Sequence, residues 1–309
     1  MSMRKIAMQS DLWLDQNDPL TSLTWLKERG FDGIDYSLYS LCPAGKMLAD
    51  GEILPSVFDQ DLPTFLAGFA PLKEALETSG VSICQMHAPF PLWNQKRPAV
   101  TAHLNEVLDK TFALCEYLSC PAVVVHPVVH PTLEEEWEDN LAFYRSLFPL
   151  LKERKGFTVC LENMFWRKFS RLIEAGMSAP DYARMIDQLN EELGETRFGF
   201  CFDVGHAIIA GRDPAEYIRK MGHRLTVLHL HENNVRDDLH VMPYMSLLRP
   251  LSPFCDWEGV LAALREVGYE GPLAFETFGS QKAFPKAVHK EVFELNADIG
   301  RYFVQRLEG

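Results

Sequence analysis

Eight short apolar runs, each followed by a stretch with helical punctuation, repeat along this 309-residue chain, and that repetition restricts its fold more than any other feature. The runs predict strands at residues 5–8, 33–38, 82–87, 122–126, 158–163, 198–203, 225–231 and 272–276. Between them, Asp18-Pro19 opens a helix that stops before Gly30, and Asp61-Leu62-Pro63 opens one ending near Gly80. Ser178-Ala179-Pro180 and Asp213-Pro214 open others ending near Gly194 and Gly222, and a last helix is predicted over residues 287–307. Strand and helix alternate without a break in composition, which predicts an α/β fold: a single (β/α)8 barrel of parallel strands, one domain over residues 1–309. Such barrels typically need roughly 250 residues. The surplus falls in two long βα connections, residues 39–60 after the second strand and 232–256 after the seventh. Loops of that length usually cover or bind something, and both belong to the rim where barrels of this kind carry their chemistry.

Composition narrows the partners. A formal net charge of −13 opposes binding to a polyanion, which needs a basic face, and so argues against nucleic acid. The same charge suits carboxylates gathered around a divalent cation. Seven cysteines, an odd number without a CxxC pair, argue against a disulfide framework and for a reducing cytoplasm. Cys84, Cys160 and Cys201 sit inside apolar runs and read as core filler. The opening MSMRKIAMQSD has no apolar signal region, and no run approaches the about 18 apolar residues of a membrane span, so no membrane partner is expected.

The sixth run, FGFCFDVGHAIIAG over residues 198–211, turns polar at Asp203 and His206 where a strand buried on both faces should end. Other strands end the same way. The third gives His87, the fourth His126 with His130 beyond it, and the fifth Glu162. The seventh gives His229 and His231, the following loop Asp238-x-His240, and the eighth Glu276. Taken singly, a histidine here could be a hydrogen-bonded structural group, Asp203 a helix N-cap and Glu276 a surface carboxylate. Repeated at six strand ends, those readings would leave polar groups near the top of a packed core at a cost of a few kcal/mol each. A barrel sets strand ends in a ring about one axis, so a shared metal site explains all of them together. Mixed carboxylate and imidazole donors suit Zn²⁺ or Mn²⁺, with Mg²⁺ or Co²⁺ as alternatives, better than Ca²⁺.

With the segments KERGFDGIDYSLY, SGVSICQMHAPF, VVVHP, VCLENM, FDVGHA, VLHLHENN and GYEGPLAFE in view, the chain resembles the xylose isomerase-like TIM barrel superfamily along nearly its whole length. That group holds sugar isomerases and epimerases, and also apurinic endonucleases. The resemblance implies a metal held by Glu162, Asp203, His229 and Glu276. It implies that His206 orients substrate or a further metal, and that His87 and His126 contact substrate or bind an additional metal. Glu232 stands where the usual H-x-x-D segment has aspartate, and VMPYMSLLRPLSPFC replaces the expected Gly-containing segment before Asp256.

The activity implied is that of a metal-dependent aldose–ketose isomerase or epimerase, working through a metal-stabilised enediolate on a small sugar or sugar phosphate. Glu162 and Glu276 would form the acid/base pair, with the first base left open. His206, His87, His126 and His231 would hold substrate, Trp93, Phe165 and Trp166 would form apolar walls, and Arg97 would join a rim cluster with Lys96, Arg167, Lys168 and Arg171. The alternative is an apurinic-endonuclease-like multinuclear zinc phosphodiesterase, since His87, His126, Glu162, Asp203, His206, His229, Asp238, His240 and Glu276 match all positions of such a site. The charge of −13 opposes it. A lyase, or a barrel that binds without turnover, is the third class, and a homo-oligomer stays open.

Overall fold

Successive side chains of a strand face opposite sides of the sheet, so a closed parallel barrel divides every strand into an inward and an outward set. The computed structural model describes residues 4–130, 132–168, 172–234, 236–245, 247–249, 252–253 and 255–309, with no side-chain description for 166–168, 172–175, 247–249 and 252–253. Its main sheet has eight parallel strands: β1 (Ile6–Gln9), β2 (Gly33–Ser37), β3 (Ser82–His87), β4 (Ala122–Val125), β5 (Thr158–Glu162), β6 (Phe198–Asp203), β7 (Leu225–His229) and β8 (Leu273–Phe275). Neighbours follow chain order, and β1 pairs with both β2 and β8. Closure between β7 and β8 runs through Leu230 opposite Phe275, where Leu230 N–H donates to Ala274 O (2.8 Å) and Glu276 N–H to Leu230 O (3.2 Å). This is the (β/α)8 barrel that the repeat implies.

The inward set is small. Ala122, Val124, Cys160, Cys201 and Val227 form one cluster inside the barrel, and Ala7, Cys84 and Ala274 another. Their outward neighbours Leu161, Phe202, Leu228 and Phe275 join the large core under the helices. Burial pushes the Cys84 thiol up to about 11 and the Cys160 thiol up to about 12, so neither is a thiolate at neutral pH. Among the described residues, no helix is long and apolar enough to cross a membrane.

Helix starts follow their caps: the Asp18 side chain accepts from Thr21 N–H (3.2 Å), and Ser178 and Asp181 form a capping box for Ala179–Leu193. The region after Asp61 differs from the sequence reading. Two helices, Leu62–Ala67 and Ala70–Ser79, replace the single one expected. Pro71 lacks an N–H and would clash with a carbonyl one turn back, so the chain restarts with proline in a new first turn. A hairpin of Phe165–Lys168 and Leu172–Ala175 rises after β5, where only loop was expected. The connection 39–60 carries a short helix, Ala44–Asp50.

Candidate metal centre and active site

Parity aims the acidic and imidazole residues. Glu162, Asp203, His229 and Glu276 stand two residues after Cys160, Cys201, Val227 and Ala274, all inward-facing, and therefore point along the barrel axis at its C-terminal mouth. They meet there. His229 Nδ1 lies 3.5 Å from Glu162 Oε2, 3.7 Å from Asp203 Oδ2 and 3.7 Å from Glu276 Oε2. All four residues are buried. Among the described residues, His229 Nδ1 has no hydrogen-bond partner. Buried carboxylates crowded around one imidazole are costly in an apolar setting, and a shared cation relieves that cost. The donor set therefore fits a divalent metal.

Each donor is held from behind. Asp203 does two jobs: its Oδ1 accepts from His206 N–H (2.6 Å), capping the short helix Val204–Ile209, while its Oδ2 faces the centre and His231 Nε2 (2.9 Å). The cap and ligand readings of Asp203 do not exclude each other. The Asn163 amide donates to Asp203 O (2.7 Å) and its carbonyl oxygen accepts from Asp203 N–H (2.8 Å). This side chain continues the ladder past the end of β5, which explains why that strand stops one residue early. Gly205 makes room for the arrangement, since a Cβ there would sit 2.0 Å from His231 Cε1. Asp35, in the middle of β2, is fully buried with Oδ2 3.2 Å from His229 Nε2, and Gln85 donates to the same oxygen (3.1 Å). A carboxylate behind an imidazole fixes the ring and raises its basicity. Nothing local in the segment GFDGID distinguishes Asp35 from an ordinary strand aspartate.

Two further groups flank the centre. His87 Nε2 and His126 Nε2 lie 3.0 Å apart and 3.6 Å and 3.0 Å from Glu162 Oε2. On the other side, Asp238 Oδ2 lies 3.5 Å from His206 Nε2 and 3.1 Å from His240 Nε2. His206, His231, Asp238 and His240 could also hold an ion. Burial and the neighbouring charges pull the titrations apart. Burial raises Glu162, but His126 and His229 outweigh it and hold the carboxyl well below its usual range. Burial dominates at Glu276 and pushes it up to about 7, and at His126, lowering it to about 4.

Residues 23–296 match the family model described as xylose isomerase-like TIM barrel. The chain belongs to that family. This xylose isomerase-like barrel is 25% identical over 271 residues to an uncharacterized protein of Sinorhizobium fredii, covering 83% of this chain and 80% of that protein. It is 28% identical over 226 residues to an uncharacterized protein of Methanocaldococcus jannaschii, covering 68% and 70%. Its fold is similar to that of a D-tagatose 3-epimerase-like protein, at a TM-score of 0.66 and 21% identity over 97% of this chain and 99% of the other. A D-psicose 3-epimerase crystallised with D-fructose (TM-score 0.68, 14% identity) and the 3-keto-D-glucoside 4-epimerase YcjR of Escherichia coli (TM-score 0.68, 15% identity) align over the same 97% and 99%.

Above the donors of this xylose isomerase-like barrel lies a cavity of about 500 Å³, lined by His87, His126, Glu162, His206, His240 and Glu276 among others. Its apolar wall is Phe90, Phe165 and Phe278. Of these only Phe165 was expected; the signal for Phe90 was its place three residues after His87 in QMHAPF. The first two strands also contribute, through Gln9 and Ser37, which reasoning from the third strand onward overlooked. His231, expected at substrate, is wholly buried behind Asp203 and stacks on His240 at 3.9 Å, so it holds Asp203 instead. Trp93 packs on Phe143 and lines a neighbouring cavity. Arg97 is exposed and donates to Ala49 O (3.4 Å), away from the donors. The side chains of Trp166, Arg167 and Lys168, and residue Arg171, lie outside the described residues. Glu232, in the place of the usual aspartate, faces away from the centre and accepts from Tyr244 N–H (2.6 Å), Cys255 N–H (3.2 Å) and Trp257 Nε1 (3.3 Å). Its extra methylene lets one carboxylate gather both ends of the loop.

Proposed function

We propose that this protein is a metal-dependent sugar isomerase or epimerase, acting on a small polyhydroxylated carbonyl compound. The observation that carries the reading is the convergence of Glu162 Oε2, Asp203 Oδ2 and Glu276 Oε2 on His229 Nδ1, with Glu162 and Glu276 lining a cavity above them. The likeness to sugar epimerase folds supports it. Glu162, Asp203, His229 and Glu276 would hold the ion, with Zn²⁺ or Mn²⁺ favoured by the mixed donors. Bound there, a divalent cation supplies Lewis-acid polarisation of the substrate carbonyl.

The chain's own groups do the rest. Glu162 and Glu276 reach the cavity from well-separated strands, β5 and the end of β8, and so flank whatever lies over His229. One carboxylate takes the proton from the carbon beside the carbonyl, and the other, carrying a proton, returns one to that carbon from the opposite face. In the reverse direction the two exchange roles, which is why the reaction needs a glutamate on each side. His206 and His87 would hold hydroxyls. The Phe90, Phe165 and Phe278 rings exclude water, which protects the carbanion-like intermediate from stray protonation.

Turnover in D2O tests this. A metal-loaded enzyme should install deuterium at the carbon beside the carbonyl of a ketohexose, and Glu162→Gln should keep its metal while losing exchange by about 10³-fold or more. Absence of exchange across a ketose and aldose panel, with the metal bound, would contradict the proposal. A multinuclear phosphodiesterase is the second reading, favoured by the two flanking groups of donors. The net charge of −13 weighs against it, and incision of an abasic-site duplex at physiological salt would promote it.

A further inference from the structure

The catalytic cavity does not end at its own walls. Phe90, His126 and Met164 line both it and a second cavity of about 900 Å³ that opens beside β4. A monosaccharide over the metal donors would sit in the first space and would not reach across the larger second one. Phe90 marks the threshold between the two, its ring 4.1 Å from that of His126 and stacked on Tyr39 at 4.7 Å.

The second cavity is a built one. The segment after β4 is pinned to the helix Leu133–Ser146 by Asn140, whose side chain accepts from Val128 N–H (2.7 Å) and donates to Val128 O (2.7 Å). Buried Glu136 accepts from His130 N–H (3.1 Å) and from Met177 N–H (2.8 Å), tying the same segment to the chain after the hairpin. So the polar groups that face the space are pre-set: His130 Nε2 lies 2.7 Å from Asp139 Oδ2, and the Gln95 amide donates to the other oxygen of Asp139. Part-exposed Trp93 supplies an aromatic wall. Among the described residues the lining carries the carboxylates of Glu135, Glu138 and Asp139 against the single ammonium of Lys96. That balance repels a phosphate or carboxylate. It accepts hydroxyl protons, and with an aromatic face it is the chemistry that recognises a neutral sugar ring.

We propose that the second cavity binds a second, neutral sugar ring joined to the reacting one, so that the substrate is a glycoside or disaccharide rather than a free monosaccharide or a sugar phosphate. This rests on the isomerase or epimerase reading of the neighbouring site. Binding energy gathered on the remote ring would orient the reacting one.

Calorimetric titration of the metal-loaded protein tests it, with D-fructose, 6-O-glucosyl-fructose, 4-O-galactosyl-fructose and fructose 6-phosphate as probes. At least one glycosylated ketose is expected to bind about tenfold tighter than fructose, and the phosphate no tighter. His130→Ala and Asp139→Asn should each bring the ratio of glycosylated to free ketose affinity close to one, and exposed Gln95→Ala should lower it if either of those fails to fold. Equal affinities for all sugars, a gain that persists in these variants, or a gain from phosphate would overturn the proposal. Fructose turnover with no gain from glycosylation would sink the second ring and spare the reaction. A glycosyl gain without turnover of any probe would do the reverse.

Discussion

The two ends of the barrel carry charge in opposite ways. At the N-terminal end, charges meet partners. Asp32 accepts from Ile6 N–H (3.2 Å) and lies 2.9 Å from Arg301 and 3.5 Å from Lys27. Arg197, just before β6, donates to Phe157 O (3.1 Å) and Leu151 O (2.8 Å). At the C-terminal end, the carboxylates of Asp35, Glu162, Asp203 and Glu276 are all buried around one histidine. On the proposed function, the lower end serves stability and the upper end keeps binding capacity at stability's expense. Substitutions at the two ends should therefore behave differently.

The largest difference is expected in activity. His229→Ala removes the donor shared by three carboxylates and should abolish stoichiometric metal binding and cut turnover by about 10³-fold or more, read by elemental analysis and progress curves. Asp32→Asn should leave turnover within about twofold, as a surface ion pair remote from the mouth. Metal removal comes next. A ligand that binds only the folded state at about 100 times its Kd adds roughly 2.7 kcal/mol, so EDTA should lower the melting temperature of the wild type by several degrees and that of His229→Ala by little.

The pH responses should have opposite signs. Burial raises the Glu276 carboxyl to about 7, above its ordinary 4.5, so the metal-free fold holds that proton more tightly than the unfolded chain does. Its contribution is then present below pH 4.5 and is lost as pH rises through 7. In metal-free protein Glu276→Gln should gain stability relative to wild type across that window, by roughly 3 kcal/mol at most. At Asp32 burial pushes upward, but Arg301 and the Ile6 N–H outweigh it and lower the carboxyl below 3.8. Its contribution is present above that value and lost as pH falls. Asp32→Asn should cost about 1 kcal/mol at neutral pH and nothing in strong acid, the smallest effect of the set. Parallel pH dependence at the two ends would erase the contrast.

Much of this was legible in the chain because period and punctuation are local. Strand ends carrying Glu162, Asp203, His229 and Glu276 belong to one ring in a closed barrel, and Asp–Pro and Ser–x–Pro starts marked the helices. What escaped depends on contacts distant in sequence. His231 and His229 share a parity, yet only packing against Asp203 and His240 removes His231 from the cavity. Asp35 is an ordinary strand aspartate until Gln85 and His229 close around it. Glu232 has the opposite parity to His229, but its partners Tyr244, Cys255 and Trp257 lie 12 to 25 residues further on and no periodicity announces them. Arg97 and Trp93 sit in rim segments whose direction no periodicity encodes.

Metal stoichiometry measures the central claim most directly. Equilibrium loading with Mn²⁺ or Zn²⁺ followed by elemental analysis should give one tightly held ion per chain, lost in His229→Ala and retained in Asp238→Asn. No ion at micromolar metal, or one that stays when His229 is gone, would contradict a centre built on that residue, and three ions per chain would point to the phosphodiesterase instead.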